Sequence, residues 1–120
     1  MVKLLENTRR PDITFNRNGQ IRITARIARI LSIATGDVIN IRIEDGEYLL
    51  YVSKNLIGRH EARCYPTNRQ GHNFVANSAR LSRSLLDSCN IRSERASFMI
   101  GEPILKDNDV YCPIITQKPL

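Results

Sequence analysis

Arg17, Arg22, Arg26 and Arg29 fall within thirteen residues that contain no acid. Arg80 and Arg83 repeat the spacing of Arg26 and Arg29, and Arg69 repeats Arg17 in a second Asn-Arg-x-Gly turn signature. A guanidinium is a flat fork of donors that never loses its charge, so it suits phosphate oxygens and base edges. The chain holds 18 Lys and Arg against 12 Asp and Glu, a net charge of +6, and only four of the 18 are lysines, which leaves fourteen arginines. This pattern predicts a protein that contacts duplex DNA. Arg17, Arg29, Arg69 and Arg83 are expected to anchor phosphates, Arg26 and Arg80 to probe the groove, and Arg22 to add positive charge on a strand's wet face.

Other chemistries find little footing. His60, His72, Cys64 and Cys112 lack the helical or knuckle spacing of metal ligands, so no metal is expected. The odd set Cys64, Cys89 and Cys112 fits neither a disulfide framework nor a zinc site and reads as reduced, mostly buried thiols. There is no Ser-His-Asp order with local support, no phosphate loop and no apolar carboxylate pair. No enzyme activity, catalytic residue or cofactor is therefore expected. With no Trp and few aromatics, platforms for stacking single-stranded bases are not expected either. Tyr48 and Tyr51 read as packing residues.

The elements that would carry these arginines can be read in order. Asp12 to Phe15 and Gln20 to Thr24 look like paired strands around Asn16-Arg17-Asn18-Gly19, whose Asn and Gly tolerate a hairpin turn. Ile21 and Ile23 face a core, opposite Arg22 and Thr24. Ala25 to Ser32 reads as a two-turn helix capped by Thr24, with Ile27, Ile30 and Leu31 as its apolar stripe. After Thr35-Gly36-Asp37, Val38 to Ile43 alternates, with Ile39, Ile41 and Ile43 expected inward. Asp45-Gly46 turns the chain into Glu47 to Val52, so Glu44, Asp45 and Glu47 make this second hairpin acidic.

Past a short linker, Ser53 to Arg59, the order repeats loosely. Glu61 to Pro66 and His72 to Ala76 read as strands around Thr67 to Gly71. A helix capped by Asn77 or Ser78 runs to about Ser88, with Leu81, Leu85 and Leu86 apolar. Ala96 to Ile104 and Val110 to Thr116 close a hairpin around Lys106 to Asp109. The expected fold is mainly β with two short helices (α+β), in two units, residues 10–53 and 60–116, packed as one compact domain.

Gly19, Ile21, Ile23, Ile27, Arg29, Leu31, Ile33, Gly36-Asp37, Ile39, Ile41, Asp45-Gly46 and Leu49-Leu50 give residues 12–53 a resemblance. They resemble the AbrB/MazE/SpoVT family of swapped-hairpin, looped-hinge-helix DNA-binding domains. Thr24 stands where that family has proline, Ser32 where it has glycine, Gln20 where it often has a basic residue, and Ala28 where the first of two adjacent arginines often lies. The resemblance implies interleaved hairpins around a two-fold axis. With the degenerate second copy at 60–116, it implies a fused pseudo-two-fold, swapped-hairpin barrel and a role in transcription regulation. A protein-interaction module, antitoxin-like or part of a larger assembly, is the alternative, and pairing of two chains into a homodimer stays open. No apolar run is long enough for a bilayer and no signal-peptide core is present, which predicts a cytoplasmic protein without a membrane partner.

Overall fold

A computed structural model describes residues 11–53, 61–67, 72–117 and 119. The chain is mainly β with two helices, and its strands form a curled antiparallel sheet in the shape of a half barrel. The strands are β1 (Ile13–Asn16), β2 (Gln20–Ile23), β3 (Val38–Glu44), β4 (Glu47–Ser53), β5 (Tyr65–Pro66), β6 (Phe74–Asn77), β7 (Arg95–Ile100), β8 (Ile104–Lys106) and β9 (Asp109–Ile115). The helices are α1 (Ala25–Ile30) and α2 (Ala79–Ser88). Strand order across the sheet is β3-β4-β9-β7-β1-β2-β6-β5, with β8 beside β9.

Pairing crosses between the early and late parts of the chain. β1 lies between β2 and β7, with Phe15 opposite Ala96. β2 runs antiparallel to β6, with Ile21 opposite Ala76. In the other direction the start of β3 meets residues 62–64: Val38 bridges Arg63, and the Ile39 N–H donates to the Ala62 carbonyl at 3.0 Å. The period-two pattern thus buries one side of β1, β2, β6 and β7. Ile13, Phe15, Ile21, Ile23 and Phe98 lie at the bottom of the core with Ile27, Ile39, Leu50 and Leu86. Phe15 and Phe98 meet edge to face at 6.0 Å between centroids.

Neither helix could hold itself together at its length. Ile27 and Ala28 bury α1, and Leu85 and Leu86 bury α2. Both end alike. Ser32 and Asn90 take left-handed backbone (φ 52° and 59°). The Ile33 N–H then reaches the Ala28 carbonyl at 2.9 Å, and the Ile91 N–H reaches that of Leu86 at 2.8 Å. Gly19 is needed at the first turn for two reasons. Its φ is +107°, and a Cβ there would lie 2.9 Å from the Ala79 nitrogen at the start of α2.

Several local expectations change. α1 stops at Ile30, with Leu31 as C-cap, because Ser32 turns left-handed. Thr24 stands at the N-cap position but its hydroxyl makes no cap bond. The Oδ1 of Asn73, from β6's side of the sheet, accepts from the Ala25 N–H at 2.8 Å instead. Ile43 is not inward: it is 60% exposed, because the far end of β3 runs past the core. Ala96 to Ile104 is not one strand; it breaks at residues 101–103, after which β8 and β9 form the tight hairpin. Ser78 does cap α2, accepting from the Leu81 N–H at 3.1 Å.

Candidate nucleic-acid interface

The strands β7, β1, β2 and β6 lie side by side with their apolar residues inward. Alternation then fixes what they show on the other side. β1 shows Thr14 and Asn16, β2 shows Gln20 and Arg22, β6 shows Val75 and Asn77, and β7 shows Arg95, Ser97 and Met99. No carboxylate stands among them. Arg22 lies opposite Thr14 and Arg95 opposite Asn16, so the two arginines sit diagonally across β1. Two strand spacings and a two-residue offset put their Cα atoms on the order of 12 Å apart.

An open depression of about 420 Å³ lies between them, lined by Pro11, Thr14, Asn16, Gln20, Arg22, Arg95 and Ser97. A second hollow of about 320 Å³ lies on the other flank of Arg22, toward Thr24, Asn73, Phe74 and the buried Asp12, whose carboxylate is held by Arg26 and the Ile100 N–H. The Thr14 and Ser97 hydroxyls are bonded to each other at 2.8 Å. The Arg22 Nε donates to Gln20 Oε1 at 3.1 Å, which steers its guanidinium along the face. Among the described residues neither Arg22 nor Arg95 has an acidic partner. A charge of one sign, left uncompensated on a polar sheet face, attracts anions.

The other arginines predicted from sequence have different surroundings. Arg17 is drawn into the fold. Its Nε donates to the Ser93 carbonyl at 3.1 Å, one terminal nitrogen to Asp87 Oδ1 at 3.0 Å and the other to the Ile91 carbonyl. It therefore holds the turn that follows α2. Arg83 donates to the backbone carbonyl of Arg17 at 2.9 Å. Arg26 meets Asp12 at 3.3 Å, and that buried carboxylate also accepts from the Ile100 N–H at 2.8 Å. Arg80 meets Glu61 at 2.8 Å on the surface. Arg29 is exposed, and among the described residues its side chain makes no bond or ion pair. Arg69 lies outside the described residues.

Three of these arginines, Arg17, Arg26 and Arg80, therefore meet acids that local sequence did not reveal. Asp12 and Glu61 are far from Arg26 and Arg80 along the chain and are brought in by strand pairing. Arg95 and Ser97 are the residues that sequence reasoning missed. The signal was present, since Arg95-Ala96-Ser97-Phe98 alternates wet and dry, but a strand begun at Ala96 leaves Arg95 outside it.

The three thiols are free, with Cys64 and Cys112 buried and Cys89 half-buried. Burial pushes Cys64 up to about 12 and Cys112 up to about 11, in both cases as the main cause. Burial also raises Cys89. No cluster of three or more potential metal ligands occurs among the described residues. His72 is exposed, and His60 is outside the described residues. No helix among the described residues is long and apolar enough to cross a membrane. Compared with family models, curated proteins and solved structures, the chain matches none of them.

Proposed function

We propose that this chain binds duplex DNA through the outer face of β7, β1, β2 and β6. The observation that carries the reading is the pair Arg22 and Arg95 on a sheet face without a carboxylate, in a chain of net charge +6. Sheet faces and ribbons can sit in a DNA groove, and Arg, Asn, Gln, Ser and Thr are the side chains that contact phosphates and base edges. Among the described residues the face carries one exposed aromatic, Tyr65 at its β5 edge opposite Val75, too few to stack a run of unpaired bases.

Arg29, Arg80 and Arg83 would add phosphate contacts, and Arg69, expected from the sequence to do the same, lies outside the described residues. The Arg80 to Glu61 pair is exposed, and such pairs contribute roughly 0–1 kcal/mol, so a phosphate can displace the carboxylate. Arg17 and Arg26 act in this reading mainly by holding the face in shape.

The resemblance of residues 12–53 to AbrB-like domains points to transcription regulation. The crossed pairings of β1 with β7, β2 with β6, and residues 62–64 with β3 support an interleaved, swapped-hairpin arrangement of units 10–53 and 60–116. So does a reciprocal clamp. Arg17 holds the turn after α2, and Arg63 donates to the Gly36 carbonyl at 2.6 Å in the turn after α1.

The test is retention of short duplexes at low salt and loss at high salt. A chain that leaves duplex DNA free even at the lowest salt would overturn the proposal. A protein-interaction role is favoured by one observation, the exposure of Leu105 (74%) and Ile43 (60%) near the β8–β9 and β3–β4 turns. Stoichiometric co-purification of a protein without DNA would support that second reading.

A further inference from the structure

β3 closes one end of the sheet. Its side toward β4 is paired along its whole length, from Val38 opposite Ser53 to Glu44 opposite Glu47. Among the described residues the other side is covered only at its start, where the Ile39 N–H donates to Ala62. Beyond that, no strand among the described residues lies against 40–44. Successive residues of a strand direct their N–H and C=O groups to opposite sides. Ile41 and Ile43 therefore turn theirs to the same edge as Ile39. The Ile41 N–H is met by the Oδ1 of its neighbour Asn40 at 2.8 Å. The polar groups of Ile43 face the same edge, which the other described residues leave open, and this makes that end of β3 a template for another strand.

We propose that a second copy of this chain pairs antiparallel along the β3 edge, with the two-fold axis at Ile43. Each Ile43 then exchanges N–H···O=C bonds with the Ile43 of the other copy. This register places Arg42 opposite Glu44 of the second copy, and Glu44 opposite its Arg42. Those flanking pairs fall at non-hydrogen-bonded positions, where cross-strand side chains come closest. The contact is self-complementary, as a two-fold interface must be.

Neighbouring registers fail. An axis at Arg42 sets arginine against arginine. An axis at Ile41 drives Ile39 into residues 61–64, which already occupy its edge.

Within one chain Arg42 lies 3.3 Å from Glu44 and donates to the Tyr111 hydroxyl at 3.3 Å, while Lys106 meets Glu44 at 2.6 Å. The paired edge joins these groups from both copies into one charge network. Only about three residues per copy take part in the ladder, so the dimer forms and dissociates with concentration and is not obligate.

The experiment is sedimentation equilibrium of the full chain over a dilution series. It compares the wild type with R42E, E44R and the double variant R42E/E44R. The wild type should move from one-chain to two-chain mass as concentration rises. Either single change sets like charges opposite each other at both flanking positions and should weaken the dimer about tenfold. The double change restores opposite charges and should recover it. A wild type that stays at one-chain mass overturns the proposal. So does a dimer indifferent to the single changes, or a double variant no stronger than either single. The Ile43 amide of the wild type supplies a measurement that needs no variant. Its hydrogen exchange should slow as concentration rises, and an unchanged rate overturns the pairing.

Discussion

Residue identity separates arginines that hold the fold from arginines free to meet a ligand. Arg17 satisfies the Ile91 and Ser93 carbonyls beyond the end of α2 and pairs with Asp87. Arg17→Ala should therefore destabilise the chain by about 1–3 kcal/mol, since it strips charged hydrogen bonds from backbone carbonyls. Arg22→Ala should change stability by no more than about 0.5 kcal/mol, because among the described residues its guanidinium meets only a neighbouring glutamine. Chemical denaturation of the two variants measures the difference directly; equal losses would contradict these assignments. The N-terminus of α1 makes a second contrast. The Thr24 hydroxyl is buried without a partner among the described residues, while Asn73 supplies the cap. Asn73→Ala should cost about 1 kcal/mol, as loss of a cap usually does. Thr24→Val should be neutral or stabilising, because it removes a buried hydroxyl that makes no bond. Melting temperatures of the two variants check both signs.

The elements were largely legible where hydrophobic period and turn chemistry agree. Ile21 and Ile23 against Arg22 mark β2, Asn18-Gly19 marks its turn, and Ser78 before Ala79 marks the start of α2. Reading failed where the deciding contact is distant. Asn73 caps α1 from another strand, and nothing near Thr24 in the sequence announces it. Ile43 continues the alternation of Ile39 and Ile41, but alternation tells which side a residue faces and not how far the core extends. Ile27→Ala should therefore cost about 2–5 kcal/mol, as for a fully buried aliphatic residue. Ile43→Ala, measured in dilute solution, should cost less than about 1 kcal/mol. Denaturant midpoints decide between them, and a large loss at Ile43 would mean that β3 is buried to its end. The candidate face was half legible in the same sense. Arg22 could be placed on a wet strand face, but its neighbour Arg95 needed the pairing of β1 with β7.

At the scale of the whole molecule, the late half of the chain supplies partners that the early half lacks, and the early half does the same in return. That interlocking explains why acid-free stretches in the sequence need not be acid-free in space. It also buries two thiols deeply. Cys64 and Cys112 are raised from an ordinary 9.0 to about 12 and about 11, so the folded chain keeps them neutral where the unfolded chain would ionise them. Their contribution to stability is full below about pH 9 and is lost as pH rises through about 11–12. Denaturant melts between pH 8 and about pH 11 should show this decline, and Cys64→Ala with Cys112→Ala should flatten it.

The central claim is that the carboxylate-free sheet face meets DNA phosphates. Fluorescence anisotropy of a labelled duplex, titrated with the chain across a salt series, tests it most directly. The wild type should give a linear fall of log affinity with log salt. The Arg22→Ala/Arg95→Ala double variant should give a shallower line, its slope reduced by roughly two, about 0.9 for each phosphate contact removed. Parallel lines for the two proteins, or no binding by either, would contradict it.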